Sequence, residues 1–313
     1  MPKITPNKKP STAIAKKTFA PAYKGSKGSC FNSSIEEFLE SHEAKKLQGK
    51  VQLIFTSPPF PLSSPKAYGN LEGEEYLNWL VEIVQRMTSL LKPDGSLVME
   101  IGNCWDKGTP TMSTLPLKTL IAIAEKANLN VCQQFIWENS ARLPGPATWV
   151  NKRRIRIKDS HTHIWWFSPS EFPKADNRNI LTAYSKAMER LIKTGKYNPG
   201  VRPSEHVISD KYFAINNQGA IPGSTLVLGN TSQDPNYVRW CKEQEIKMHP
   251  ARMPIKLAEF FIKFLTDEND LVVDPFGGSN TTGQAAENLQ RKWVTIERDE
   301  SYVKGSHGRF KTS

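Results

Sequence analysis

Cysteine is scarce in this chain: four in 313 residues, at Cys30, Cys104, Cys132 and Cys241, with no C-x-x-C spacing. That argues against a disulfide framework or a zinc ribbon and fits a reducing compartment. The six histidines do not gather near them. His161 and His163 alternate in S-H-T-H without a carboxylate pair at ligand spacing, so no metal is expected. Long apolar runs are missing as well. With no stretch of 18 or more apolar residues, no transmembrane helix is expected, and the N-terminus carries lysines but no apolar signal segment. Acidic residues are the third shortage: 31 Asp+Glu face 42 Lys+Arg, a net charge of +11. Such a surplus favours a polyanionic partner through counterion release, without by itself naming nucleic acid.

What is present suits one large globular core with a smaller inserted region, since 38% of residues are hydrophobic and 23% charged. Residues 1–27 hold Lys3, Lys8, Lys9, Lys16, Lys17, Lys24 and Lys27 among Pro, Ser, Thr and Ala. This composition predicts a flexible basic arm. Periodicity then predicts a helix over Ile35–Leu47 and a buried strand over Val51–Phe55. A helix over Glu74–Leu91, a turn at Lys92–Gly95 and a strand over Ser96–Ile101 follow. A helix over Leu115–Asn128 and a strand over Val131–Trp137 close this half. From 139 to 245 Pro and Gly are frequent and periodicity loosens, except near Ile164–Phe167. The rhythm returns with a helix at Pro254–Leu265, a strand at Leu271–Val273, a helix at Thr282–Leu289 and a strand at Trp293–Ile296. Strands alternating with helices imply an α/β fold on a parallel sheet. The domain organisation expected is an arm (1–27), one half (28–138), an inserted region (139–245) and a second half (246–313).

Two loops carry the chemistry. In the first, Leu271–Asp274 runs into Pro275-Phe276-Gly277-Gly278-Ser279 and then a helix start, and paired glycines let a ligand approach the backbone. Glu297 ends the next strand, placed to accept hydrogen bonds from the ribose hydroxyls of a nucleoside. The loop matches neither G-x-x-x-x-G-K-[ST] nor G-x-G-x-x-G, which points away from phosphate-rich cofactors. In the second, Ser57-Pro58-Pro59-Phe60 follows a strand that two prolines must terminate. An exocyclic amine is a poor nucleophile because its lone pair is delocalised into the ring. The Ser57 hydroxyl and Pro58 carbonyl can accept from its two N–H groups and localise that pair. Pro59 fixes the loop, and Phe60 can stack on a base that has left the duplex. Glu100, at the end of the neighbouring strand, is the candidate proton acceptor.

The sequence Thr56–Phe60 followed late by Asp274–Gly283 resembles the amino-methylating (cytosine-N4 and adenine-N6) DNA methyltransferases in which the cofactor motif follows the catalytic one. The likeness spans roughly residues 28–310. It includes Tyr68-Gly69-Asn70, Lys92–Ser96, Trp149–Arg153, Ile164–Ser168 and His249–Arg252. It implies a Rossmann-like S-adenosylmethionine-dependent sheet with permuted motif order and an inserted DNA target-recognition region. Asp274, Phe276, Gly277, Gly278, Ser279 and Glu297 would bind S-adenosylmethionine. The segment His249–Lys256, with Pro250 and Arg252, would lie at its methionine end. Ser57, Pro58 and Phe60 would engage the flipped base, with Glu100 replacing an aspartate proposed to assist proton removal. Where the family often carries Gly-Asp-Ser near the adenine, this chain has Ser33-Ser34. Serine before Pro-Pro resembles the cytosine-N4 enzymes, whereas Asp or Asn there resembles adenine-N6 enzymes. Methylation at C5 would need a cysteine after a proline, and none occurs.

The resemblance thus implies a site-specific DNA methyltransferase acting on cytosine N4 in duplex DNA. It would sit in a bacterial or archaeal cytoplasm beside a restriction endonuclease that cuts the same site. Adenine N6 and a catalytically inactive DNA-binding protein of this fold are the alternatives. For phosphate contact, Lys152, Arg153, Arg154, Arg156 and Lys158 are expected on a strand with one basic and one apolar face. Base readers are expected within 170–240, among residues such as His206 or Asn216-Asn217-Gln218.

Overall fold

The computed structural model describes residues 19–60, 71–195, 215–230 and 234–310, with short pieces at 200–201, 203 and 207–208. Tyr68-Gly69-Asn70, His206 and the lysines before residue 18 lie outside the described residues. The chain enters along an antiparallel edge, β1 (Tyr23–Lys24) against β2 (Gly28–Asn32). The basic arm expected over 1–27 therefore does not reach residue 27. The Tyr23 ring is buried, and its hydroxyl lies 2.7 Å from Ser306 Oγ and accepts from Asn280 Nδ2 at 2.8 Å. An aromatic ring with a bonded hydroxyl anchors the segment.

Two helices, α1 (Ile35–Glu40) and α2 (His42–Leu47), replace the single helix expected there. Ser41, extended at φ −75° and ψ 165°, ends the first and caps the second by accepting from Ala44 N–H at 3.1 Å. A serine hydroxyl competes with helix continuation in this way. Next come β3 (Val51–Thr56), buried at every position, α3 (Gly73–Thr88), β4 (Leu91–Gly102), α4 (Leu115–Lys126) and β5 (Asn130–Glu138). The turn expected at Lys92–Gly95 is taken into β4, where the register against β3 shifts between Val51 and Leu53. The middle of the chain adds β6 (His161–Ser168), α5 (Lys186–Thr194), β7 (Gly200–Val201), β8 (Val207–Ile208), β9 (Thr225–Val227) and α6 (Pro235–Glu243). The last part holds α7 (Ile255–Leu265), β10 (Leu271–Asp274), α8 (Thr281–Asn288), β11 (Lys292–Glu297) and α9 (Glu300–Ser306).

The main sheet of the described residues has the strand order β1-β2-β11-β10-β3-β4-β6-β5-β9. Its parallel centre, β11-β10-β3-β4, joins strands from the two ends of the sequence, and both faces are covered by helices as such strands require. On one face α1, α3 and α4 pack Phe38, Leu80 and Ile123 against Ile54, Met99 and Ile101. On the other, α7 and α8 pack Leu257, Phe261 and Ala285 against Leu53, Phe55, Val98 and Ile164.

Two expectations are corrected. The sheet is not wholly parallel: β6 runs antiparallel to β4 and β5 and lies between them. Its first residue, His161, pairs with Glu138 at the end of β5, so β6 begins at the rim where β5 stops and must return. This strand, within the stretch 139–245, belongs to the main sheet. The basic run is not a strand either: a π-helical turn covers Thr148–Lys152 and irregular chain follows. Ile155 and Ile157 are exposed, so no apolar face holds the segment on the sheet. No helix among the described residues is long and apolar enough to cross a membrane.

Candidate active site

β3 and β10 are neighbours, and each ends in one of the two chemical loops. They are tied at that point. The Thr56 hydroxyl donates to Asp274 Oδ1 at 2.8 Å, and the Thr282 hydroxyl donates to Oδ2 at 2.7 Å. Phe276 N–H adds a third bond, 3.1 Å from Oδ1. Asp274 is fully buried, and burial pushes its carboxyl above the usual aspartate range. With its oxygens committed inside the protein, Asp274 holds the two loops in register.

The glycine turn follows. Gly277 N–H donates to Ile296 O at 2.8 Å, and Gly278 takes φ +50°. A Cβ at Gly278 would sit 3.2 Å from His249 Nε2, so glycine here leaves room for the His249 ring as well as relieving backbone strain. Gly278 N–H donates to Glu297 Oε2 at 2.8 Å, and Asp299 N–H donates to Oε1 at 2.7 Å. Burial raises the Glu297 carboxyl, and these two bonds offset that only in part. Each oxygen keeps a further lone pair for a ligand. Asn280, at φ +54°, caps α8 by accepting from Gly283 N–H at 3.0 Å.

These elements enclose one cleft of about 730 Å³, within the range of roughly 300–1,000 Å³ usual for ligand sites. Ser57, Pro58, Pro59, Phe60 and the buried Glu100 line it, as do Asp274, Phe276, Gly277, Gly278, Ser279, Glu297 and Arg252. The structure thus brings both loops to one rim. Pro250 is exposed and is not among the lining residues, although His249, Ala251, Arg252 and Met253 around it are. The basic run also lies off the cleft wall. Within it Lys152, Arg153 and Arg154 are exposed. Arg156 is turned inward, donating to Pro110 O at 2.7 Å, pairing with Asp159 at 3.5 Å and covering the Trp105 ring. Lys158 reaches the carbonyls of Arg142 and Ser140 at 3.2 and 3.4 Å. Those two cations are tied to the protein, whereas the other three are exposed, Arg153 with its guanidinium 5.2 Å over the Trp149 ring.

Sequence reasoning missed several residues that line the cleft, and Arg309, which stands behind its wall at Ser279. Trp79 packs 5.8 Å from the Phe276 ring and donates to Glu36 Oε1 at 2.6 Å. Burial pushes the Glu36 carboxyl up, but this bond and others outweigh it and leave it below its usual value. Arg309 is buried; it donates to Ser279 O and to Gln284 Oε1 at 2.5 and 2.6 Å and lies over the Tyr237 ring. Desolvation lowers its pKa from the ordinary arginine value. On the far wall Trp137, Asn139, Arg142, His161 and Thr162 come from β5, β6 and the segment between them. Trp79 could be suspected only as part of an amphipathic helix, and Arg309 carries no local pattern at all. Ser33 and Ser34 also line the cleft, with the Ser34 hydroxyl capping α1.

Comparison with known proteins agrees with this geometry. Residues 51–307 match the model of the N6/N4 DNA methylase family. The type II methyltransferase M.PvuII of Proteus hauseri is 43% identical over 292 residues, covering 93% of this chain and 85% of that protein. The solved structure of the PvuII cytosine-N4-specific DNA methyltransferase superposes with a TM-score of 0.75 at 38% identity, covering 96% of this chain and 90% of that one. The M1.HpyAVI–SAM complex, at 19% identity and TM-score 0.55 over 91% of this chain and 100% of that chain, shares the fold. The match over residues 51–307 and the 43% identity to M.PvuII show that this chain, whose one cleft joins the Ser57 and Gly278 loops, belongs to the N6/N4 DNA methylase family.

Proposed function

We infer that this chain transfers a methyl group from S-adenosylmethionine to N4 of cytosine in duplex DNA, as the site-specific modification enzyme of a restriction system. The observation that carries the reading is the meeting of Ser57–Phe60, Glu100 and the Gly277–Gly278 turn in one cleft, locked together by Asp274. The Proteus hauseri relative is named as a type II methyltransferase, and the solved PvuII enzyme as cytosine-N4-specific.

The residues present fit the cofactor. The open cradle at Gly278, the Glu297 carboxylate and the aromatic wall of Trp79 and Phe276 suit a nucleoside, with His249 and Arg252 further along the cleft. Bound there, S-adenosylmethionine supplies an electrophilic sulfonium methyl group. The protein prepares the other partner. Ser57 Oγ and the Pro58 carbonyl accept the two N–H groups of the flipped cytosine's amine and draw its nitrogen towards tetrahedral geometry. Phe60 stacks on the ring, and Pro59 holds the loop. As N4 takes the methyl group, leaving the electron pair of the methyl–sulfur bond on a neutral thioether sulfur, the proton lost by N4 passes to the Glu100 carboxylate. Exposed Lys152, Arg153 and Arg154 contact phosphates, which sets position but not sequence. In this reading residues 28–138 supply the catalytic half, 246–313 the cofactor half, and 139–245 target recognition in addition to β6. Methylation would protect the site against an endonuclease of the same specificity.

The test is transfer of a tritiated methyl group to duplex DNA, followed by nucleoside analysis and digestion with a panel of restriction enzymes. N4-methylcytosine at one protected sequence is expected. N6-methyladenine would overturn the base assignment, and tight DNA binding without transfer would overturn the enzyme.

A further inference from the structure

Strand β4 turns Val98, Glu100 and Gly102 to one face, because alternate residues share a side. Val98 belongs to the hydrophobic layer under α7, which fixes which face that is. Gly102 ends the row, and the Phe60 ring occupies the space its Cβ would take. Across the sheet Gly102 is paired with Thr162 of β6, and Thr162 with Trp137 of β5. Directly opposed residues present side chains on the same face. Glu100, Phe60, Thr162 and Trp137 therefore line one continuous wall of the cleft, with Thr162 beside the site of the Phe60 ring.

Thr162 is 4% exposed, and its Oγ1 is buried without a hydrogen-bond partner among the described residues. A threonine hydroxyl left unmatched is a cost that a folded protein ordinarily avoids, and its place in a ligand cleft suggests where the partner comes from. Resting on the function proposed above, we propose that Thr162 is a specificity-determining residue that reads the flipped cytosine. Ser57 and Pro58 offer acceptors, which match the N–H groups of the amine. The neighbouring ring positions of cytosine, N3 and O2, are acceptors and call for a donor. The Thr162 hydroxyl donates to O2, fixing the base in the plane that presents N4 to the methyl group. In adenine the position corresponding to O2 is a C–H, which offers the hydroxyl nothing.

The experiment compares wild type, Thr162→Val and Thr162→Ser on the duplex whose methylated cytosine has been mapped. Thr162→Val keeps the shape and removes only a hydroxyl that has no partner among the described residues, so its melting temperature should equal or exceed that of wild type. Its kcat/KM for DNA should fall about tenfold, the worth of one hydrogen bond, with S-adenosylmethionine affinity unchanged. Thr162→Ser, which keeps the hydroxyl, should stay within about threefold of wild type. The proposal is overturned if Thr162→Val turns over like wild type, if Thr162→Ser falls as far as Thr162→Val, or if the loss lies in cofactor affinity. Wild-type protein that places no methyl group on cytosine N4 would instead remove the function on which it rests.

Discussion

Gly102→Ala isolates the contribution of the Phe60 ring without touching the ring itself. A Cβ at residue 102 would stand 2.5 Å from Phe60 Cε2 and 2.9 Å from Cδ2. Carbon atoms in contact prefer about 3.5–4.0 Å, so the ring must retreat by about 1 Å. Gly102 is not in the left-handed region, and alanine fits its backbone; folding stability should change by less than about 1 kcal/mol. The cost falls on function. Misplacing a reacting group by about 1 Å can cost about a hundredfold, and base–aromatic stacking is worth about 1–3 kcal/mol, or roughly five- to 150-fold. Single-turnover methyl transfer should therefore slow by about ten- to a hundredfold, while calorimetry finds S-adenosylmethionine binding unchanged. If the substitution acts through Phe60, the double variant with Phe60→Ala should be no slower than Phe60→Ala alone. Losses that add in the double variant, or a Gly102→Ala protein as fast as wild type, would refute the argument.

Arg309→Met should weaken S-adenosylmethionine binding about tenfold with kcat at saturation nearly unchanged, because it frees the Ser279 carbonyl from a charged donor; titration calorimetry measures this. Ser57→Ala should lower turnover far more than cofactor affinity, and Glu297→Ala the reverse; equal losses of cofactor binding in both would contradict the roles given to the two loops. Asp270 lies between Lys92 and Lys174, each 2.7 Å away, and although burial pushes its carboxyl up, these partners outweigh it and leave it below the usual aspartate value. Such a group stabilises the fold above its unfolded pKa of about 3.9 and loses that contribution as pH falls through the lower folded value. Asp270→Asn should thus cost about 1–2 kcal/mol in denaturant melts near neutrality, discounted because both lysines are about a third exposed, and the gap from wild type should close below about pH 4. Replacing Lys152, Arg153 and Arg154 with Gln should flatten the dependence of log affinity on log salt by about 0.9 for each phosphate no longer neutralised, and an unchanged slope would count against phosphate binding there.

The sequence alone determined the parts of this protein that depend on neighbours along the chain. The mostly apolar run of β3, the two prolines that end it and the paired glycines after β10 are local signals with one physical outcome each. They were enough to identify both loops and the acid Glu297. Tertiary structure decided what depends on residues far apart. The bond from Thr56 to Asp274 spans 218 positions, so no window of sequence shows that Asp274 braces the loops. Arg309 gains its role only because the end of the chain folds back on Ser279. The return of β6 between β4 and β5, which sets Thr162 beside Gly102, follows from where a 22-residue connection closes, residues 139–160 in number. The run Asn151–Lys158 failed as a strand for the same reason. Its alternation was real, but no neighbouring strand was there to bury the isoleucine side, and a strand without a partner has no reason to form.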